Sequence, residues 1–296
     1  MFLCESGDPF ELMTQYPEGQ PAVSPRLMAP KLPILNIPTT PTSAMNRAGS
    51  GLANPDLDHR MEYFDPKTRP TAIFWDWQAL RTTPFDVLRS TATTTFSSAI
   101  APAAARGGNP LKEGDDLQIF HLAHRAYPQL IASPEAIEPR IDLCAAALLQ
   151  NRSVDDGTGG ASVGDNVSLG DSAISTALHV LYPHVGQGES ISVLQATVTR
   201  RSAVTASIDS AQRIAQLLDV WVENMSPVDA VRAVADEIEE IYRTADMPLR
   251  ISELGLSQDD FPSIADATLK NFNANSGLRS ADERRRETID LLEAAW

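Results

Sequence analysis

SPVDAVRAVADEIEEIYR, residues 226–243, is the stretch that decides the fold. Val228, Val231, Val234, Ile238 and Ile241 recur three or four residues apart, the period that sets side chains along one side of an α-helix. Pro227 stands at the first helical position, and Ser226 with Asp229 forms a capping box, so the start of the helix is marked as clearly as its buried face.

The same period extends in both directions from it. Upstream, Ala211, Ile214, Leu217, Leu218 and Trp221 make a second stripe, and the run from Ile141 to Leu149, just after Pro139, makes a third. Downstream, the polar run ADERRRET is interleaved with Ile289, Leu291, Leu292 and Trp296, an amphipathic helix that closes the chain. From about Pro84 the pattern stays helical apart from DDGTGGASVG, residues 155–164. That stretch lacks the Lys-Ser or Lys-Thr ending of a phosphate-binding P-loop and follows no apolar strand, so it reads as a connector or lid.

Before Pro84 the chain is extended and irregular. Leu35 to Ile37, bracketed by prolines, and Ile73 to Trp77, rich in aromatic and β-branched residues, read as two strands. GSGLANPDLDHR between them carries the glycine, asparagine and proline signals of a long loop. The expected fold is mainly α: an all-helical part over residues 84–296 preceded by a small strand-containing part over residues 1–83. Two strands make no stable sheet alone. They must pack on the helices or pair with strands of another chain, which points to a homodimer.

Composition narrows the function classes. A net charge of −15 repels phosphate backbones and anionic membrane surfaces, so nucleic acid and membrane are excluded as partners. Cys4 and Cys144, the only cysteines, are too few for a disulfide framework or a cysteine-based zinc site and fit a reducing compartment. The start, MFLCESGDPF, lacks the features of a secretory signal, and no run is long enough for a membrane helix. The expected location is cytoplasmic.

GDPFEL, LPILNIPTTPTSA, LANPDLDHR and FWDWQALRTTPFDVLRSTA follow one another in a telling order. So do EAIEPRIDLCAAALLQNR, SAISTALHVLYPHVGQGESISVLQATVTR and LGLSQDDFPSIADATLKNFNANSGLRSADERR after them. In order and spacing these segments resemble the iron-containing alcohol dehydrogenases and the related maleylacetate reductases. The resemblance implies a nucleotide-binding half with a glycine-rich loop, a helical half that holds iron or zinc, and hydride transfer to or from a nicotinamide cofactor.

Measured against that family, the sequence begins after the point where the glycine loop would lie, a truncated form. The family's cofactor-approaching segment survives as Ile37, Pro38, Thr39 and Thr40, so Thr39 and Thr40 are vestigial cofactor positions. The metal-binding aspartate and histidine of one helix fall on Thr94 and Ser98, the next histidine on Ser172, and the last on Gly186, or on His184 if a gap is allowed. These residues cannot hold a divalent ion, and the expectation is neither metal nor cofactor. Asp171, Ser175 and His179 share one helix face, with His184 close behind. A histidine beside a carboxylate can act as acid or base near neutral pH, although a hydrogen-bonded histidine without a catalytic role explains the pattern too. His121 and His124, three apart on a helix, and the tryptophans at 75 and 77 read as structural.

The first expectation is therefore a small-molecule enzyme that carries out a redox-neutral cyclisation, isomerisation or dehydration in the helical cleft, using Thr94, Ser98, Asp171, Ser172, Ser175, His179 and His184. A second is a non-catalytic, partner-binding chain. A third is an NAD(P)-dependent reductase whose nucleotide loop lies upstream of this sequence.

Overall fold

In the computed structural model the helix expected from residues 226–243 spans Pro227–Thr244. Ser226 caps it: its hydroxyl accepts from Asp229 N at 3.1 Å and donates to Asp229 Oδ2 at 2.7 Å. Asp229 thus returns its carboxylate to the hydroxyl instead of to the backbone N–H that a capping box would engage. Val231, Val234 and Ile238 are fully buried on the expected face, joined by Tyr242.

The structure describes residues 4–17, 20, 22–57, 59–104, 110–155, 169–271 and 280–296; of the expected connector over residues 155–164, all but Asp155, which ends a helix, lies outside them. In chain order the elements are α1 (Pro9–Leu12), β1 (Leu35–Asn36), β2 (Gly49–Leu52), β3 (Met61–Phe64), β4 (Ala72–Ile73), α2 (Trp77–Leu80), α3 (Phe85–Ala104), α4 (Pro110–Ala132), α5 (Glu138–Asp155), α6 (Ser172–Leu181), α7 (Gln187–Ser202), α8 (Ile208–Leu217), α9 (Pro227–Thr244), α10 (Phe261–Thr268) and α11 (Ala281–Ala294). The fold is mainly helical, with a few short strands, as expected.

The helices enclose two cores. One is built from α3, α4, α5, α8 and α9 around Phe96, Tyr127, Ile214, Ile238 and Tyr242. The other joins α6, α7, α10 and α11 through Ile174, Leu178, Leu194, Ile264 and Leu292. Because α7 also packs on α3 and α9, it stands between the two cores and links them.

The strands differ from expectation in a way local chemistry explains. β1 and β4 pair in parallel, Leu35 opposite Ala72 and Asn36 opposite Ile73. The expected strand over Ile73 to Trp77 stops early because Asp76 turns the aromatic run into a helix, its carboxylate accepting Gln78 N at 3.0 Å. The expected long loop contains β2, which pairs antiparallel with β3 from Gly49 opposite Phe64 to Leu52 opposite Met61. The glycines of β2 hid it, since strand propensity reflects side-chain packing and the packing here belongs to buried Met61 and Tyr63 of β3.

The strand-containing part is seated on the helices. Thr95 Oγ1 of α3 donates to the Pro41 carbonyl at 2.7 Å, and the Asn151 amide of α5 donates to the Ser43 carbonyl. Buried Arg140 reaches the carbonyls of Leu80 and Pro134. Among the described residues, eleven of the exposed large apolar side chains precede Pro84 and six follow it, so the apolar surface is concentrated on this part. No helix among the described residues is long and apolar enough to cross a membrane.

Candidate functional site at the junction of three helices

The residues singled out for catalysis in the sequence sit on α3, along α6 with its N-cap, and between α6 and α7. On α3, Ser90, Thr94 and Ser98 are four residues apart and share a face. Thr94 is half-buried and its hydroxyl donates to the Ser90 carbonyl at 3.2 Å, while Ser98 is exposed. Pro102, inside the last turns of α3, removes the N–H that would bond the Ser98 carbonyl, a loss tolerable where water can reach that carbonyl.

Asp171 has a structural task. Its Oδ1 accepts from Ala173 N and Ile174 N at 3.1 and 3.0 Å, capping α6, and its Oδ2 takes Arg284 Nη2 of α11 at 2.7 Å. Ser172, the first residue of α6, is exposed. Ser175 is buried and shares a hydrogen bond of 2.7 Å with Ser190 on α7. The His179 ring, one turn on, contacts the Ser175 carbonyl through Nδ1 at 2.8 Å. His184 is exposed, its Nε2 3.1 Å from the Leu254 carbonyl. Thus Asp171, Ser175 and His179 follow one another along α6, whereas among the described residues no hydrogen bond joins them to Thr94, Ser98 or His184.

Burial holds His179 below its ordinary value; the Ser175 carbonyl opposes that shift and the charge of Arg60 reinforces it. The folded chain therefore takes up this proton at lower pH than the unfolded chain. The stability tied to the neutral ring is complete above the ordinary histidine value, near 6.5, and is lost as pH falls from there toward the folded value. The melting temperature of the wild type should accordingly lose ground to His179→Gln between about pH 7 and 5. Parallel pH profiles would show that the ring titrates normally.

Three further residues at this junction escaped the sequence reading: Ser90, Gly188 and Ser190. Glu189 belongs with them. Ser90 Oγ donates to Glu189 Oε2 at 2.5 Å and accepts from Gly188 N at 3.0 Å. The close approach of α3 and α7 that makes this possible depends on Gly188. A Cβ there would lie 2.7 Å from Ser90 Cα, 2.8 Å from its carbonyl carbon and closer still to its oxygen. The only advance sign was a glycine where α7 begins. Glu189 and His184 also line a depression of about 390 Å³ with Asp246, Pro248 and Leu254.

The metal that the fold implies does not find its donors here. Among the described residues no three His, Cys, Asp or Glu side chains come together as a metal site, and hydroxyls stand at positions 94, 98 and 172. A hydroxyl is a poor ligand for a divalent transition metal, which takes carboxylate, imidazole or thiolate. In the segment that would approach a dinucleotide, the carbonyls of Thr39 and Thr40 already have partners. The Thr39 carbonyl accepts Thr83 Oγ1 at 2.7 Å, the Thr40 carbonyl accepts Thr42 N, and the adjoining helix is a single turn, Ser43–Asn46, whose first amides Thr42 already caps.

A bundle with α3, α6 and the start of α7 converging in this way defines a class, and comparison with known proteins identifies it. Residues 96–296 match the model of the Fe-containing alcohol dehydrogenase family, C-terminal. The chain belongs to the Fe-containing alcohol dehydrogenase family. It is 24% identical to 1,3-propanediol dehydrogenase of Citrobacter freundii over 216 residues, 72% of this chain and 52% of that protein. It is 23% identical to lactaldehyde reductase of Escherichia coli K12 over 270 residues, 90% of this chain and 66% of that protein. The structure of NADH-dependent butanol dehydrogenase A from Thermotoga maritima superposes with a TM-score of 0.73 at 15% identity, covering 89% of this chain and 66% of that one. The chain therefore spans about half the length of the propanediol enzyme.

These relatives overturn the redox-neutral expectation. They are dehydrogenases and a reductase, so the family's chemistry is oxidation and reduction, and a cyclase, isomerase or lyase has no support among them. A change of ligands is not a change of reaction type. Loss of the metal donors removes a means of polarising oxygen and does not by itself remove hydride transfer.

Proposed function

We propose that this chain supplies the helical, substrate-facing part of an oxidoreductase that interconverts a small alcohol and its carbonyl compound, with a nicotinamide as hydride carrier. The observation that carries this reading is the family match over residues 96–296 to relatives that are dehydrogenases and reductases. Supporting it, the depression beside Glu189 and His184, about 390 Å³, is of a size for a small organic molecule. The exposed apolar side chains of the strand-containing part support association of two copies through that part, and light scattering of the purified chain measures it. The low cysteine count and the acidic surface support a cytoplasmic location.

The test follows NADH and NADPH absorbance in the presence of lactaldehyde and butanal, and the reverse reaction with propane-1,3-diol, alongside calorimetric titration of each nucleotide. Substrate-dependent oxidation of either reduced nucleotide is expected. No turnover and no nucleotide binding across that panel would remove the proposal.

A further inference from the structure

In the family resemblance, a divalent ion would draw its ligands from three helices: α3 at positions 94 and 98, α6 at 172 and the start of α7 at 186. Such an ion also ties those helices together. In this chain the same three helices are tied by hydroxyl groups. Ser90, one turn before Thr94 on the same face of α3, bonds Glu189 and Gly188 of α7 at 2.5 and 3.0 Å. Ser175 of α6 bonds Ser190 of α7 at 2.7 Å, with Ser190 completely buried and Ser175 nearly so.

The place beside position 186 is filled by the first of these ties. A Cβ on Gly186 would meet Ser90 Oγ at 2.7 Å and Glu189 Cδ at 3.0 Å, with Glu189 Oε2 nearer still. A ligand side chain starting from 186 would have to displace the carboxylate. That carboxylate is well placed without any cation, since it lies in the first turn of α7, where the helix N-terminus favours negative charge, and it accepts the Ser90 proton.

We propose that the Ser90–Glu189–Gly188 and Ser175–Ser190 hydrogen bonds replace a metal ion as the tie between α3, α6 and α7, so that this junction neither binds a divalent ion nor needs one for stability. The inference concerns stability and holds whether or not the chain transfers hydride.

The 296-residue chain, dialysed against Zn²⁺ or Fe²⁺, is assayed for bound metal by mass spectrometry, and its melting temperature is followed with and without EDTA. Substoichiometric metal and an unchanged melting temperature are expected. Ser90→Ala, Glu189→Ala and Ser175→Ala are each expected to melt about 2–6 °C lower in the absence of metal. Glu189→Gln, which keeps an acceptor for Ser90, should lose less than half as much as Glu189→Ala, a rescue that a general packing defect would not show. One equivalent of metal whose removal lowers the melting temperature would overturn the proposal. So would serine and glutamate variants that melt with the wild type, or Glu189→Gln as damaging as Glu189→Ala.

Discussion

Gly188→Ala is expected to lower the melting temperature by about 6–12 °C, the equivalent of about 3 kcal/mol in a chain of this size. The substitution should help a helix in isolation, because alanine is favoured over glycine inside α7 by about 1 kcal/mol. Packing reverses the sign. The added Cβ would stand 2.7 Å from Ser90 Cα and 2.8 Å from the Ser90 carbonyl carbon, and these are backbone atoms of α3 that no rotamer change can move. Relief requires α3 and α7 to separate, which loosens the Gly188 N–Ser90 Oγ bond and the Ser90–Glu189 bond together. A control separates the two effects. Gly114, inside α4, has nothing within 4 Å of the place a Cβ would take, so Gly114→Ala should raise stability by roughly 0.5–1 kcal/mol. Differential scanning calorimetry of the two variants decides it: similar shifts in one direction would show that helix propensity governs both sites.

The helical part was legible because its signals are local. The valine and isoleucine period in residues 226–243 and the interleaved closing run 281–296 each fix a helix from adjacent turns, and both appear as α9 and α11. Ser280 and Glu283 even supply the full capping box that Ser226 and Asp229 only half complete. Strand pairing is set by residues far apart, and β2, with two glycines in four positions, carries no propensity of its own. Its partner Met61–Phe64 holds the buried side chains. For the same reason the aromatic run at Phe74 to Trp77 misled. Its composition suits a strand, but one aspartate at the right place starts a helix.

The junction of α3, α6 and α7 was legible only in outline. Ser175 and His179 lie on α6 and Asp171 caps it, yet their partners are contributed by segments distant in sequence: Arg284, Ser190 and, across space, Arg60. Asp171 looked like a carboxylate waiting beside a histidine. Its oxygens are spent on two α6 amides and one guanidinium, and that commitment depends on α11. Ser90 and Gly188 could not be distinguished from other small residues until the distance between two backbones was known. A lost ligand set is visible in a sequence, whereas the hydrogen bonds that take its place are not.

The same helix α7 carries the second large effect. Tyr242→Phe is expected to cost about 2–3 kcal/mol, or about 5–10 °C in melting temperature, although it removes a single oxygen. Tyr242 on α9 is completely buried, and its hydroxyl donates to Gln195 Oε1 on α7, itself completely buried. Burial pushes the phenol well above its ordinary value, so it keeps its proton, and can donate, at neutral pH. Phenylalanine keeps the packing, including the edge-on contact with Phe96 at 6.2 Å, so the loss measures the hydrogen bonds of the hydroxyl, with Gln195 and with Ser97, and not a cavity. Without the hydroxyl, Gln195 Oε1 loses this donor in a dry interior, and among the described residues Gln195 Nε2 already has no hydrogen-bond partner. An amide stranded in this way costs more than the bond itself contributed. Removing it as well should therefore help: in the Tyr242→Phe background, Gln195→Met, close in volume and without a strong polar group, is expected to recover more than half of the lost stability. The double-mutant cycle measures the coupling directly. Additive losses in the double variant would place the cost in packing at position 242 and not in the orphaned amide between the two cores.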